Sequence, residues 1–309
     1  MTQRRALLLL NPHSRRGGHD VSAAIAVLEA GGIAVGQPVP LEPARLRGIL
    51  RARRGELDLV VVAGGDGTLN RAVEALLEVG LPLGVLPLGT GNDLARTLGI
   101  PPDPVAASRV IVAGSTRRID LGWVNGKHFF NAAAIGLSVA AAQRLTGEIK
   151  RRYGPLGYPM TLIDAWKATR PFTATIRCDG EQARRRSVQI VVGNGRHHGA
   201  GMTVAAAATI DDHQLDLYSL DPQPWWQTLQ HLPALRLGAD HQPEGIWRAR
   251  GTEVEITTDR PLKVSTDGEV TTYTPARFRV VPRALAVLAP PAADGPATAA
   301  APATAAAPG

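Results

Sequence analysis

At 309 residues the chain holds one large domain or two ordinary ones, and at 44% apolar but only 4% aromatic its cores must be built from Ala, Val, Leu and Ile. The net charge of +7 favours anionic partners such as ATP or anionic lipid; with no zinc spacing and no aromatic-studded basic strand, a nucleic-acid module is excluded. One cysteine, Cys178, excludes an internal disulfide, and no stretch approaches the ~18 uncharged apolar residues of a membrane span.

Ala6 to Leu10 reads as a buried first strand. It is too short for a secretory signal, and Asn11-Pro12 stops it. A helix over 20–30, a strand over 33–39 and a helix over 44–52 follow. Apolar runs at 57–63 and 83–88 then read as buried strands, each leading through a glycine turn into a helix. Such alternation predicts a mostly parallel sheet covered by helices, with its ligand at the carboxyl ends of the strands.

After Asp120 the pattern changes to short β segments at 121–124, 128–132, 173–178, 188–193, 215–220, 253–258, 262–265 and 277–281. Turns such as Asp179-Gly180 and Asp267-Gly268 separate many of them. These predict a sandwich-like β domain with helical insertions near 138–152, 157–169 and 223–237. The expected division is an α/β domain over 1–120, a β-rich acceptor domain over 121–288 whose end packs back on the first, and a disordered Ala/Pro tail over 289–309.

The two glycine turns carry the chemistry. Gly64-Gly65-Asp66-Gly67-Thr68 and Gly89-Thr90-Gly91-Asn92-Asp93 each link a strand to a helix. Glycines admit a ligand close to the backbone, and the free N–H groups of the next helix attract phosphate. Asp66 and Asp93 would repel bare polyphosphate, so a divalent cation belongs between acid and phosphate. The pair therefore suggests a nucleoside-triphosphate site. Gly122-Trp123-Val124-Asn125-Gly126-Lys127-His128 fails as a Walker loop, with one spacer too few and no Ser or Thr after the Lys.

At these residues the chain resembles the diacylglycerol-kinase catalytic family, nearest its YegS-like lipid kinases. The resemblance runs through Asn11-Pro12-His13-Ser14, 64–70, 86–95, Arg118-Ile119-Asp120-Leu121-Gly122, 130–136, Asp211-Asp212 and Thr266-Asp267-Gly268-Glu269, and ends at Pro282-Arg283-Ala284-Leu285. It implies an NAD-kinase/phosphofructokinase-like α/β domain joined to a β-sandwich, and ATP-dependent phosphorylation of a lipid hydroxyl. Diacylglycerol, phosphatidylglycerol and a sphingoid base are all eligible acceptors.

The resemblance implies nucleotide contacts at Asn11, Pro12, Ser14, Gly64, Gly65, Asp66, Gly67, Thr68, Asn70, Gly89, Thr90, Asn92 and Asp93. It also places Asp66, Asp93 and Asp120 around a catalytic Mg²⁺. Asp267 is the implied general base, with Glu269 tuning it. Asp212, with Thr209 and Gln214, resembles a structural metal site, but the usual Asp-Asp-Gly here reads Asp211-Asp212-His213. That change demands a left-handed His213 or a strained loop.

A basic stretch, Arg144 to Arg152 beside Tyr153, could lie on anionic headgroups. The expected setting is cytoplasmic, peripheral to the inner face of the membrane, with a homodimer left open. Two rivals stand: an NAD-kinase-like kinase of a soluble acceptor, and a catalytically silent lipid-binding regulator.

Overall fold

The computed structural model describes residues 3–11, 21–144, 165–166, 168–195, 197–198, 202–203, 209–224 and 245–291. Four parallel strands organise the N-terminal part: β1 (Arg4–Leu10), β2 (Ile33–Val35), β4 (Leu59–Gly64) and β5 (Leu83–Pro87), in the order β5-β4-β1-β2. A two-residue strand, β3 (Val39–Pro40), also lies along β1. Every residue of β4 and β5 is buried. A central parallel strand is covered on both faces, which explains apolar runs without alternation. Asp58 sits just outside β4, where its carboxylate accepts the Arg5 N–H at 2.7 Å.

Helices α1 (Ser22–Ala30), α2 (Pro43–Arg53), α3 (Asp66–Val79) and α5 (Pro104–Ala113) connect these strands, with the single-turn α4 (Asp93–Thr97) after the second glycine turn. On α3, Leu69, Ala72, Val73, Leu76 and Val79 are buried at helical spacing, giving one apolar face toward the sheet. Each fully buried Leu or Val contributes about 1.5–3 kcal/mol. Gly80 ends α3 in the left-handed conformation, its N–H donating to the Leu76 carbonyl.

The C-terminal part is antiparallel. Strands β8 (Ala132–Gly136), β11 (Gln189–Gly193), β14 (Leu215–Leu220), β15 (Ile246–Gly251), β17 (Lys263–Thr266) and β18 (Glu269–Tyr273) form a sheet ordered β15-β14-β11-β8-β17-β18. Opposite it lie β6 (Thr116–Val124), β7 (Lys127–Phe129), β9 (Phe172–Cys178), β10 (Glu181–Ser187), β16 (Glu253–Thr258) and β19 (Ala276–Leu288), while β12 (His197–His198) and β13 (Met202–Thr203) form a separate two-stranded pair. Ile135, Ile190 and Leu217 of the first sheet share a core with Phe172, Ile176, Ile256 and Phe278 of the second. That is a β-sandwich, as the sequence pattern anticipates.

The second sheet and the N-terminal sheet are one. β19 runs antiparallel to β16 and β6 and meets β5 in parallel at Val287 and Leu83. Residue 120, where the sequence pattern changes, therefore falls inside a strand. Among the described residues no helix is long and apolar enough to cross a membrane. Cys178 is buried in β9, and burial raises its thiol pKa, with Asp179 and Glu181 adding to the rise. A buried thiol held protonated is a packing residue, not a nucleophile.

Of the expected helical insertions, α6 (Leu137–Arg144) occupies the start of the first. Most of the remainder, including the basic stretch after Arg144, lies outside the described residues, as does the tail from 292.

Candidate active site

β4 and β5 end side by side, with Gly64 opposite Pro87. This register brings the two glycine turns together. A Cβ on Gly65 would stand 2.8 Å from the Gly89 Cα, and one on Gly89 would stand 2.6 Å from the Gly65 Cα. The backbones touch, so only glycine fits at either place. Asn92, at φ +50, closes the second turn: its Oδ1 accepts the Gly89 N–H at 2.9 Å and its Nδ2 donates to the Gly89 carbonyl at 3.1 Å.

Asp66 opens α3, where the helix dipole favours an acid. Its Oδ1 accepts the Leu94 N–H at 3.2 Å, so the acid of the first turn ties down the helix after the second. A Cβ on Gly91 would lie 3.1 Å from Asp66 Oδ2 and 3.8 Å from the Asp93 carboxyl carbon. The two acids thus flank one glycine. Thr68 is buried, its hydroxyl oxygen accepting the Asn11 Nδ2 at 2.9 Å, so it holds the turn to β1. Thr90 is exposed at the rim. Pro12 and Ser14 lie outside the described residues.

The turn between β17 and β18 faces this cradle. Asp267 (φ +47) and Gly268 (φ +91) form a tight hairpin of the doubly left-handed type. The Asp267 side chain points inward. Its Oδ2 accepts the Phe130 N–H at 2.9 Å and Asn70 Nδ2 at 3.0 Å; its Oδ1 accepts the N–H groups of Asn131 at 2.9 Å and Ala132 at 3.3 Å. Burial raises its pKa, opposed by these hydrogen bonds and reinforced by the charge of Asp66. Glu269 stays half-exposed, its Oε1 only 3.2 Å from where a Cβ on Gly67 would be. Arg71 of α3 bridges the two segments, pairing with Glu269 at 3.5 Å and donating to the Gly67 carbonyl at 3.1 Å.

Asp120 does not join Asp66 and Asp93. It is 1% exposed within β6, and its carboxylate accepts the His213 N–H at 2.7 Å, the Arg283 N–H at 2.7 Å and His213 Nδ1 at 3.0 Å. Among the described residues no three acidic, His or Cys side chains group together, so the expected trio of Asp66, Asp93 and Asp120 is not assembled here. Asp120 fastens the 209–214 loop and a bulge of β19 to β6, a job that its sequence neighbours do not advertise.

Residues 5–124 match the diacylglycerol kinase catalytic domain, and residues 132–289 match the YegS C-terminal NAD kinase beta sandwich-like domain. A Pseudomonas aeruginosa protein described as a YegS-like lipid kinase is 33% identical over 94% of this chain and 96% of its own length. The chain belongs to the diacylglycerol-kinase catalytic family. A Mycobacterium tuberculosis diacylglycerol kinase is 30% identical over 91% of this chain and 94% of its own. A Bacillus anthracis diacylglycerol kinase crystal structure shares the fold at a TM-score of 0.74, with 21% identity, covering 94% of this chain and 98% of that one.

Within this lipid-kinase frame, sequence reasoning missed the side chains that join the two parts. Glu74 of α3 accepts the His128 N–H at 3.0 Å and pairs with its Nδ1 at 3.1 Å. Burial alone would raise the Glu74 pKa, but the hydrogen bonds and charge of His128 bring it below the ordinary value. Asn194 Nδ2 donates to the carbonyls of Asp120 and Phe130. The helical spacing of Asn70 and Glu74, on the side of α3 away from its apolar face, was the available signal.

Proposed function

We propose that this chain transfers the γ-phosphate of ATP to the hydroxyl of a lipid. The observation that carries this reading is the seating of the Asp267–Glu269 turn on the first turns of α3, beside the glycine cradle. It puts a half-exposed carboxylate next to N–H groups suited to phosphate.

The N–H groups that open α3 would hold the phosphates, with Gly65 and Gly89 giving close access. Asp66 and Asp93 fit a nucleotide-borne divalent ion, since Mg²⁺ is commonly held by one or two carboxylates plus phosphate oxygens. When bound, that ion neutralises charge on the transferring group.

The base is reassigned within the turn. A carboxylate offers about four acceptor positions, and Asp267 spends them on four donors. None is left for an incoming hydroxyl. Glu269, half-exposed and held by Arg71, has room. In this reading Glu269 takes the acceptor proton as the new O–P bond forms and the β–γ bridging bond breaks. Asp267 positions it by locking the hairpin to α3 and to residues 130–132.

A cavity of about 280 Å³ beside Glu269, lined by Val139, Ala142, Gln143, Ser265, Gly268 and Val270, gives the acceptor its approach. Val270 and Tyr273 on β18 are the exposed large apolar side chains among the described residues. An apolar edge next to the base suits a substrate presented by a membrane surface.

Nucleotide titration paired with single-turnover transfer tests the reading. Asp66→Asn should weaken ATP–Mg²⁺ binding and abolish turnover. Glu269→Gln should bind nucleotide normally and lose ~10²–10⁴-fold in the chemical step. Full turnover by either folded variant would sink the assignment.

A further inference from the structure

The resemblance implies a structural divalent ion at Asp212, with Thr209 and Gln214. The residues present do not fit one. Asp212 Oδ2 accepts the Thr209 N–H at 2.9 Å and Arg250 Nη2 at 2.6 Å, while Oδ1 accepts the Gln214 N–H at 3.0 Å. The same guanidinium reaches Asp216, with Nε 3.5 Å from Oδ1. Both acids are largely covered, their side chains 18% and 13% exposed, and one arginine pairs with both carboxylates.

The neighbouring acids have partners of their own. Asp211 pairs with Arg117 at 2.9 Å. Asp120 is capped by His213 and Arg283. His213 stands where the resemblance expects glycine and takes the glycine-like conformation, φ +60. Among the described residues no three acidic, His or Cys side chains group to hold a metal. Mg²⁺ requires near-octahedral oxygens and Ca²⁺ six or more. Here N–H donors and a guanidinium occupy the oxygens of Asp212, and a fixed positive charge at that distance opposes a second cation.

We propose that Arg250, carried by β15, is the built-in cation of the 209–214 loop and replaces a structural metal ion in this chain. The substitution matters for the site. The loop carries Ile210, which is 1% exposed in the N-terminal core and whose carbonyl accepts the Asp120 N–H at 2.8 Å. The loop thus braces the junction of the two parts, and its integrity becomes independent of metal supply.

The test uses the full chain without nucleotide, in an Asp66→Asn background so that the cradle reports no metal. Thermal midpoints are compared in chelator and in millimolar Mg²⁺ or Ca²⁺, and metal content is measured after gel filtration. The parent should give midpoints within about 1 °C of each other and carry no stoichiometric metal. Arg250→Ala, which frees two adjacent carboxylates, should melt lower in chelator and regain several degrees when the divalent ion is added, roughly 2–4 °C for each kcal/mol of binding. Arg250→Lys should stay close to the parent in both. A parent that loses several degrees on chelation, or that retains one metal per chain, overturns the proposal. So does an Arg250→Ala protein equally destabilised with and without the ion. If Arg250→Ala does not fold, the metal content and midpoints of the parent decide alone.

Discussion

Replacing Asp267 with asparagine separates a positioning acid from a base. The amide keeps one oxygen and turns the other position into an N–H₂ group. Two of the four donors now on Asp267 would then face a donor. Each buried N–H left without an acceptor costs about 1–3 kcal/mol, or about 2–6 kcal/mol for two. Burial raises the Asp267 pKa, so removing the charge offsets part of the cost, and the expected loss lies toward the lower end of that range, about 2–3 kcal/mol. At roughly 2–4 °C per kcal/mol, the thermal midpoint should fall by about 4–12 °C. The sign of the pH effect follows from the raised folded pKa: the folded state holds the proton more tightly, so this group's contribution to stability falls as pH rises through that value, and the asparagine removes the slope. Glu269→Gln touches only a half-exposed ion pair with Arg71, worth about 0–1 kcal/mol, and should leave the midpoint nearly unmoved while slowing transfer. Differential scanning calorimetry beside single-turnover kinetics reads both. An Asp267→Asn protein with an unchanged midpoint, normal ATP affinity and a rate reduced ~10²-fold or more would return the base to Asp267.

Three further outcomes follow from the same geometry. Gly89→Ala pushes a methyl to 2.6 Å from the Gly65 Cα; overpacking of about 1–3 kcal/mol, if it falls on the cradle, predicts ATP–Mg²⁺ affinity weakened by roughly 5–150-fold with the fold retained, checked by calorimetric titration. Glu74, held below the ordinary glutamate range through His128, contributes stability above the unfolded value that is lost as pH falls through the folded one; urea midpoints between about pH 3 and 7 should therefore show a shallower acid limb for Glu74→Gln. With a net charge of +7, binding to vesicles should strengthen with anionic lipid and weaken as salt shortens the screening length, read by co-sedimentation.

The N-terminal sheet was legible because buried parallel strands write continuous apolar runs, and because the glycine turns combine residue types that few other structures need together. The antiparallel half was legible only where strands alternate. Glu181–Ser187 is an edge strand in which Gln182, Arg184 and Arg186 are exposed and Arg185 pairs with Asp221, so no apolar face announced it. Pro282-Arg283 reads as a strand end. Instead β19 continues through a bulge between Val281 and Leu285, with Arg283 at φ +50 held by Asp120. The contacts of Asp120 were not legible because its partners, His213 and Arg283, lie 93 and 163 residues away. Asp267 and Glu269 were both singled out by resemblance, yet the contacts of Asp267 run to backbone N–H groups at 130–132, which leave no trace in side-chain identity.

Phosphoryl transfer to a lipid hydroxyl, proposed for the meeting of the glycine cradle and the Asp267–Glu269 turn, is open to a direct assay. γ-Labelled ATP with Mg²⁺ tests it most directly, offered to the full chain with vesicles containing diacylglycerol, phosphatidylglycerol or a sphingoid base, and in parallel with soluble alcohols including NAD and sugar phosphates. Label is expected in the organic extract for at least one lipid, none in the soluble acceptors, and a signal lost with Asp66→Asn and with Glu269→Gln. Label confined to a soluble acceptor, or lipid labelling undiminished in the Glu269→Gln protein, would contradict it.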